Sequence, residues 1–133
     1  MKYYLDTNII IYALKGTYNK IIQKFTEVPP TSIVIPDVVI AEIEYGARKS
    51  FDYNKTISLY RKFTDFFEKA PFNSDAAESY GIIRADLEKH GTPIGGNDML
   101  IAATVMADDG ILVTHNTKEF TKISGLRIED WTC

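Results

Sequence analysis

Only one cysteine stands among the 133 residues, Cys133, and it is the last. A lone thiol cannot close an internal disulfide or supply a zinc-finger ligand set. No apolar run approaches the ~20 residues that a membrane helix needs. Repeats and low-complexity tracts are absent, and the single proline pair, Pro29-Pro30, reads as a short connection rather than a linker. Neither a G-x-x-x-x-G-K-S/T phosphate loop nor a G-x-S-x-G nucleophile elbow occurs. The two histidines, His90 and His115, lie far apart and lack zinc-ligand spacing. The opening Met1-Lys2-Tyr3-Tyr4-Leu5-Asp6 has an acidic residue where a secretory leader would continue its apolar core. A cytoplasmic location is therefore expected.

What remains is the composition of an ordinary folded domain, 45% hydrophobic and 25% charged, so disorder of the whole chain is excluded. The length suits one domain over residues 1–133, large enough for a core without staples. Net charge is −3, from 15 basic and 18 acidic side chains, which argues against nonspecific nucleic-acid binding through overall charge. Three carboxylates, Asp6, Glu42 and Asp98, equal the whole acidic excess. If they share one cation, the rest of the chain is neutral.

Strand and helix signals alternate along the chain. Tyr3-Tyr4-Leu5 is a β-prone run, and the apolar stretch Asn8 to Leu14 stops near Gly16. Thr17 to Val28 carries Ile21, Ile22 and Phe25 at helical spacing, and Pro29-Pro30 ends it. Ser32 to Ile35 reads as a buried strand stopped by Pro36. Asp37 is a candidate N-cap for a helix to about Lys49. Tyr53 to Phe67 is expected to be helical through Ile57, Tyr60, Phe63, Phe66 and Phe67, with a weak strand near Glu68 to Ala70. Asp75 to His90 is amphipathic, with Ala76, Ala77, Tyr80, Ile83 and Leu87 inward, and Gly91 closes it. Asn97 to Ala107 is apolar nearly all round, which predicts a buried helix with Asn97 as its N-cap. Ile111 to Thr114 is the clearest strand, and Leu126 to Ile128 the last. Such alternation implies a mostly parallel sheet covered on both faces, with ligands bound beyond the carboxyl ends of the strands.

Several polar residues fall at that end. Asp6 directly follows the first strand, where it serves either as a helix N-cap or as a site carboxylate. Glu42 lies at the edge of the apolar stripe Val39, Ile43 and Ala47, grouped with Val38, Tyr45 and Gly46. Glu44 points roughly 200° away around the helix and cannot share a site with Glu42. Asp98 sits in the first turn of the buried helix, favoured by the helix dipole, after a costly Gly95-Gly96 pair. Asn116 follows the strongest strand and is either a turn residue or a site residue. Glu119 is a further acidic candidate. Carboxylates gathered at one sheet end repel by about 4 kcal/mol per pair at ~4 Å and an effective dielectric of about 20. Such a cluster persists by protonation or by holding a cation. Oxygen-only ligands favour Mg²⁺, with Mn²⁺ as the alternative, over zinc. A cation so held activates water and stabilises charge on phosphate oxygens, which suits a phosphodiester substrate.

Leu5-Asp6-Thr7-Asn8, Ala41-Glu42, Thr92-Pro93-Ile94-Gly95-Gly96-Asn97-Asp98 and Val113-Thr114-His115-Asn116 occur in this order. Together they resemble a PIN-domain ribonuclease over nearly the full length. More narrowly, with the ending Asn116 to Phe120 and Gly125 to Trp131, the chain resembles the VapC-type toxins of bacterial toxin–antitoxin pairs. The resemblance implies a three-layer α/β/α domain with a short, mostly parallel sheet. It implies a Mg²⁺-dependent endoribonuclease, a homodimer, and inhibition by a VapB-type antitoxin. Asp6, Glu42 and Asp98 would form its acidic triad. Asn116 would take the place where relatives often carry a fourth acidic or polar group, although an amide adds no charge there. The members most like this chain cleave initiator tRNA in the anticodon loop.

A basic run, Arg48, Lys49, Lys55, Arg61 and Lys62, would suit RNA phosphates, and Tyr45 and Tyr53 would suit stacking on unpaired bases or core packing. Two readings compete with the ribonuclease. A phosphotransferase of the haloacid-dehalogenase type also places an acid after its first strand, but needs a second aspartate where this chain has Asn8. A non-catalytic PIN-like binding module would have no reason to keep Asp6, Glu42 and Asp98 together.

Overall fold

The computed structural model describes residues 1–133. Its strands are β1 (Tyr3–Leu5), β2 (Ile33–Pro36), β3 (Glu68–Ala70), β4 (Ile111–Val113) and β5 (Arg127–Glu129). The helices are α1 (Thr7–Lys15), α2 (Asn19–Glu27), α3 (Asp37–Lys49), α4 (Tyr53–Thr64), α5 (Ser74–Lys89), α6 (Gly96–Ala107) and the short α7 (Thr117–Phe120). All five strands join one sheet in the order β3-β2-β1-β4-β5, and every pair is parallel. Helices flank the sheet to give three α/β/α layers.

Leu5, Ile33, Val34, Ile35, Leu112 and Val113 are all essentially inaccessible, as inner strands covered on both faces must be. Each such side chain contributes about 1.5–3 kcal/mol by leaving water. The uniformly apolar α6 is buried through Met99, Ile101, Ala102, Ala103, Thr104 and Val105 and packs on α5. An aromatic chain ties the two ends of the protein together. Trp131 packs on Tyr3 and on Phe25, each with ring centroids 5.6 Å apart, and Phe25 continues to Phe63 at 5.5 Å.

From β1 the chain steps outward to β2 and β3, then returns to the opposite side of β1 as β4. The order therefore reverses between β1 and β4, and a crevice opens beyond their carboxyl ends.

Local expectations fail where tertiary contacts compete with them. Asp37 is the first residue of α3 rather than its cap, because Pro36 already holds the extended backbone of the cap position. Asn97 lies inside α6, whose cap is Gly95. Helix α4 stops at Thr64, since the chain must turn to enter β3, and Phe66 is left 79% exposed on that turn. Ile22 and Ala77 also face outward, because each lies beside rather than on the buried stripe of its helix. The last strand starts one residue late, as Arg127 must register with Ile111 of β4.

Candidate active site

Strand β1 delivers Asp6 to the mouth of the crevice. Its backbone N–H donates to the Val113 carbonyl at 2.9 Å, so the residue is clamped to the end of β4. Its carboxylate is buried and doubly engaged. One oxygen caps α1 by accepting from the Thr7 N–H at 2.8 Å, and the other accepts from the Thr114 hydroxyl at 2.7 Å. Asp6 is thus the N-cap of α1, one of the two roles that the sequence left open, and stands at the end of β1. Burial pushes its pKa above the ordinary value and the nearby Glu42 charge adds to this, while the Thr114 and Thr7 hydrogen bonds act against it.

Glu42 projects from the edge of the stripe by which α3 is anchored in the core, Val39, Ile43 and Ala47. One oxygen accepts from the Thr7 hydroxyl at 2.6 Å and the other from the Asn97 side-chain amide at a longer 3.4 Å. Asn97, displaced from the cap position, is thereby free to bridge α6 to α3. Glu44 faces away as the helical angle requires. There it accepts from the Tyr53 hydroxyl at 2.7 Å and pairs with Arg61 at 3.0 Å, and these bonds hold its pKa low.

Asp98, in the first turn of α6, makes no hydrogen bond or ion pair through its side chain. Its pKa is pushed up to about 6, first by desolvation, then by the charges of Asp6, Glu42 and Glu119. Asp6, Glu42 and Asp98 therefore share one electrostatic environment, and none of the seven ion pairs in the molecule supplies a cation to any of them. Glu119 joins the same field from α7, partly balanced by Lys122 at 3.2 Å.

Asn116 caps α7 without a side-chain hydrogen bond, and its N–H donates to the Thr114 hydroxyl at 3.0 Å. Its amide group has no partner in the chain. His115 is tied instead to the C-terminal segment, with Nδ1 3.0 Å from the Asp130 carboxylate and 3.0 Å from the Thr132 hydroxyl. Burial alone would raise the Asp130 pKa, but the hydrogen bonds from Thr132 and His115 outweigh it and hold it low. Thr7, Asn97 and Thr114 escaped the sequence reading as supports of the site. The available signal was modest, a hydroxyl residue closing an otherwise apolar strand and two polar residues beside acids.

The basic run is only partly free. Arg61 is neutralised by Glu44, and Arg48 lies 3.6 Å above the centre of the Tyr53 ring. Lys55 and Lys62 form no ion pair. Tyr45 is 66% exposed, so core packing is ruled out for it.

The donor set fits a hard divalent cation. It offers only oxygens, carries uncompensated negative charge, and raises the pKa of its least supported member. No three His, Cys, Asp or Glu side chains already converge closely enough to hold an ion. Glu42 is drawn to Thr7 and Asn97 and Asp6 to Thr7 and Thr114, so closing around a cation requires side-chain adjustment.

Residues 3–126 match the family model described as PIN domain. The chain is 34% identical over 131 residues to the tRNA(fMet)-specific endonuclease VapC of Salmonella typhimurium, covering 98% of each protein. Among solved structures it superposes on a chain of DNA-bound VapBC from Salmonella typhimurium with a TM-score of 0.92 and 34% identity, over 98% of both chains. A chain of VapBC2 from Rickettsia felis, bound to a promoter DNA fragment, gives 0.91 and 34%, over 98% of this chain and 99% of that one.

Proposed function

This chain belongs to the PIN-domain family, and from that premise we propose that it is the ribonuclease toxin of a VapBC-type toxin–antitoxin pair. The observation that carries the reading is the unpaired acidic group of Asp6, Glu42 and Asp98 at the point where the strand order reverses. Its substrate is RNA, and the name of the Salmonella relative points to tRNA. The reaction is hydrolysis of a phosphodiester by water.

Mg²⁺, replaceable by Mn²⁺, supplies a Lewis acid for the phosphate oxygens and a water of lowered pKa when bound. Asp6, Glu42 and Asp98 would hold it. Thr114 and the Thr7 N–H hold the Asp6 carboxylate at the end of β1, from where it would adjust to meet the cation. The Thr7 hydroxyl and Asn97 likewise hold Glu42 on α3. Asn116, whose amide is unengaged, offers a neutral donor toward the phosphate without adding repulsion. The cognate antitoxin is a VapB-type protein, the toxin is a homodimer of single-domain subunits, and it works in the cytoplasm. No helix is long and apolar enough to cross a membrane.

The phosphotransferase reading gains nothing from the structure, since Asn8 is exposed on α1 and forms no side-chain hydrogen bond to the acidic group. The deciding experiment is incubation of the purified protein with total bacterial RNA and Mg²⁺, followed by mapping of cut ends. Cleavage confined to one or a few tRNA positions, lost in EDTA, is expected. Intact RNA after incubation with folded protein would overturn the assignment.

A further inference from the structure

A groove of about 550 Å³ opens beside the acidic site. One wall is shared with the site through Thr7, Glu42 and Asn97, while Val38 and Leu100 make an apolar floor. Tyr45 stands at its edge with two-thirds of its surface in water. A ring that exposed contributes little to the core, and it lines the same groove as Glu42.

The helical repeat sets the spacing. Glu42, Tyr45 and Lys49 lie three and four residues apart, so they fall on one face of α3 along about 10 Å of axis. The ammonium of Lys49 is 5.1 Å from the centre of the Tyr45 ring. Along α3, carboxylate, ring and cation thus follow one another, with the ammonium over one face of a ring that is otherwise largely in solvent. An RNA strand presents a phosphate, a base and the next phosphate, of which the first would meet Glu42 through the cation and the last would meet Lys49 directly. Unpaired bases stack on aromatic side chains, and a flanking cation holds the backbone.

We propose that Tyr45 is the stacking platform for an unpaired nucleobase next to the scissile phosphate, with Lys49 contacting the neighbouring phosphate. The proposal rests on the ribonuclease reading and adds a specificity device to it. Every base has a π-face, so this platform selects for a single-stranded segment more than for base identity.

The test uses a short RNA that contains the mapped cut, and two more with an abasic nucleotide on either side of it. Steady-state kinetics compare wild type, Tyr45→Phe, Tyr45→Ala and Lys49→Ala. Tyr45→Ala is expected to raise KM by about 5- to 100-fold, while Tyr45→Phe stays near wild type. One of the two abasic RNAs should cost the wild type a similar factor and Tyr45→Ala nothing further. Lys49→Ala should raise KM and flatten its salt dependence. Equal losses by Tyr45→Ala on intact and both abasic RNAs would overturn the proposal. So would a shift from dimer to monomer in light scattering, which would make the ring a contact between copies. If wild type cuts no RNA, fluorescence-anisotropy binding of the same oligonucleotides in EDTA separates the two ideas. Tyr45-dependent binding would then sustain the stacking platform while the ribonuclease reading falls, and Tyr45-independent binding would overturn the platform.

Discussion

At the residue scale, Asp98 is the acid whose charge the fold supports least. Its ordinary pKa is 3.8 and its folded value about 6, raised by desolvation and by Asp6, Glu42 and Glu119. The folded protein therefore keeps a proton that the unfolded chain has already released. Asp98's contribution to stability is complete below about pH 4 and is lost as pH rises through 6. Asp98→Asn, without divalent cation, should be more stable than wild type at pH 7.5 by on the order of 1 kcal/mol. The relieved desolvation and repulsion together exceed the ~0.3–1 kcal/mol lost from the helix dipole. The difference should shrink to zero or reverse by pH 4. Urea melts at both pH values in EDTA check this, and a variant less stable than wild type at pH 7.5 makes Asp98 a dipole partner only. RNA cleavage by the same folded variant should be abolished. Thr114 gives a second case. It is fully buried, donates to Asp6 and accepts from the Asn116 N–H. The near-isosteric Thr114→Val should cost about 1–3 kcal/mol, read as a lowered denaturation midpoint.

Among the elements, the β1–β4 pairing depends on one glycine. A Cβ on Gly110 would overlap the ring of Tyr4 in β1 and approach the Lys2 carbonyl oxygen to 3.3 Å. The ring has nowhere to retreat. Tyr4 is buried, and its hydroxyl donates to Asp108 at 2.7 Å, with burial and that bond pushing its pKa far up. Gly110→Ala is expected to destabilise by about 1–3 kcal/mol through overpacking. A urea midpoint unchanged from wild type would show that β1 and β4 can slide apart at no cost.

For the whole molecule, the proposed site would couple folding to cation binding. The folded protein gathers Asp6, Glu42 and Asp98, whereas the unfolded chain disperses them. At roughly a hundredfold excess over Kd, Mg²⁺ should stabilise by about 2.7 kcal/mol, a Tm rise on the order of 10 °C. Thermal melts across a Mg²⁺ series should show the rise in wild type and a smaller one in Asp98→Asn. Equal gains in both would remove Asp98 from the ligand set. Self-association belongs to this scale too. Phe51, Phe66, Ile82 and Leu59 are all more than half exposed, apolar side chains that a second copy of the chain could cover. Light scattering should give a mass near twice 15.0 kDa, and a monomer that persists as concentration rises would refute the dimer.

Much of this protein was legible in the chain by itself because the signals are local. Continuous apolar runs mark Ile33 to Ile35 and Ile111 to Val113 as inner strands, and the all-round apolar Asn97 to Ala107 marks α6 as buried. Acids placed just after a strand or at a helix start could be read from position alone, as Asp6 and Asp98 show. Tertiary structure decided the rest, because those choices depend on groups distant in sequence. Thr114 reaches Asp6 across 108 residues, and Asn97 reaches Glu42 across 55. Local capping rules assign Asn97 to the end of its helix, but the carboxylate waiting on α3 claims its amide. Arg61 reads as a free phosphate-binding cation until α3 and α4 pack and Glu44 neutralises it. Phe66 follows a helical stripe that ends when the chain must turn into β3. The reversal of strand order at β1 and β4, which creates the crevice for the acids, has no local signature at all. It follows from which strands find each other once every apolar face has been buried.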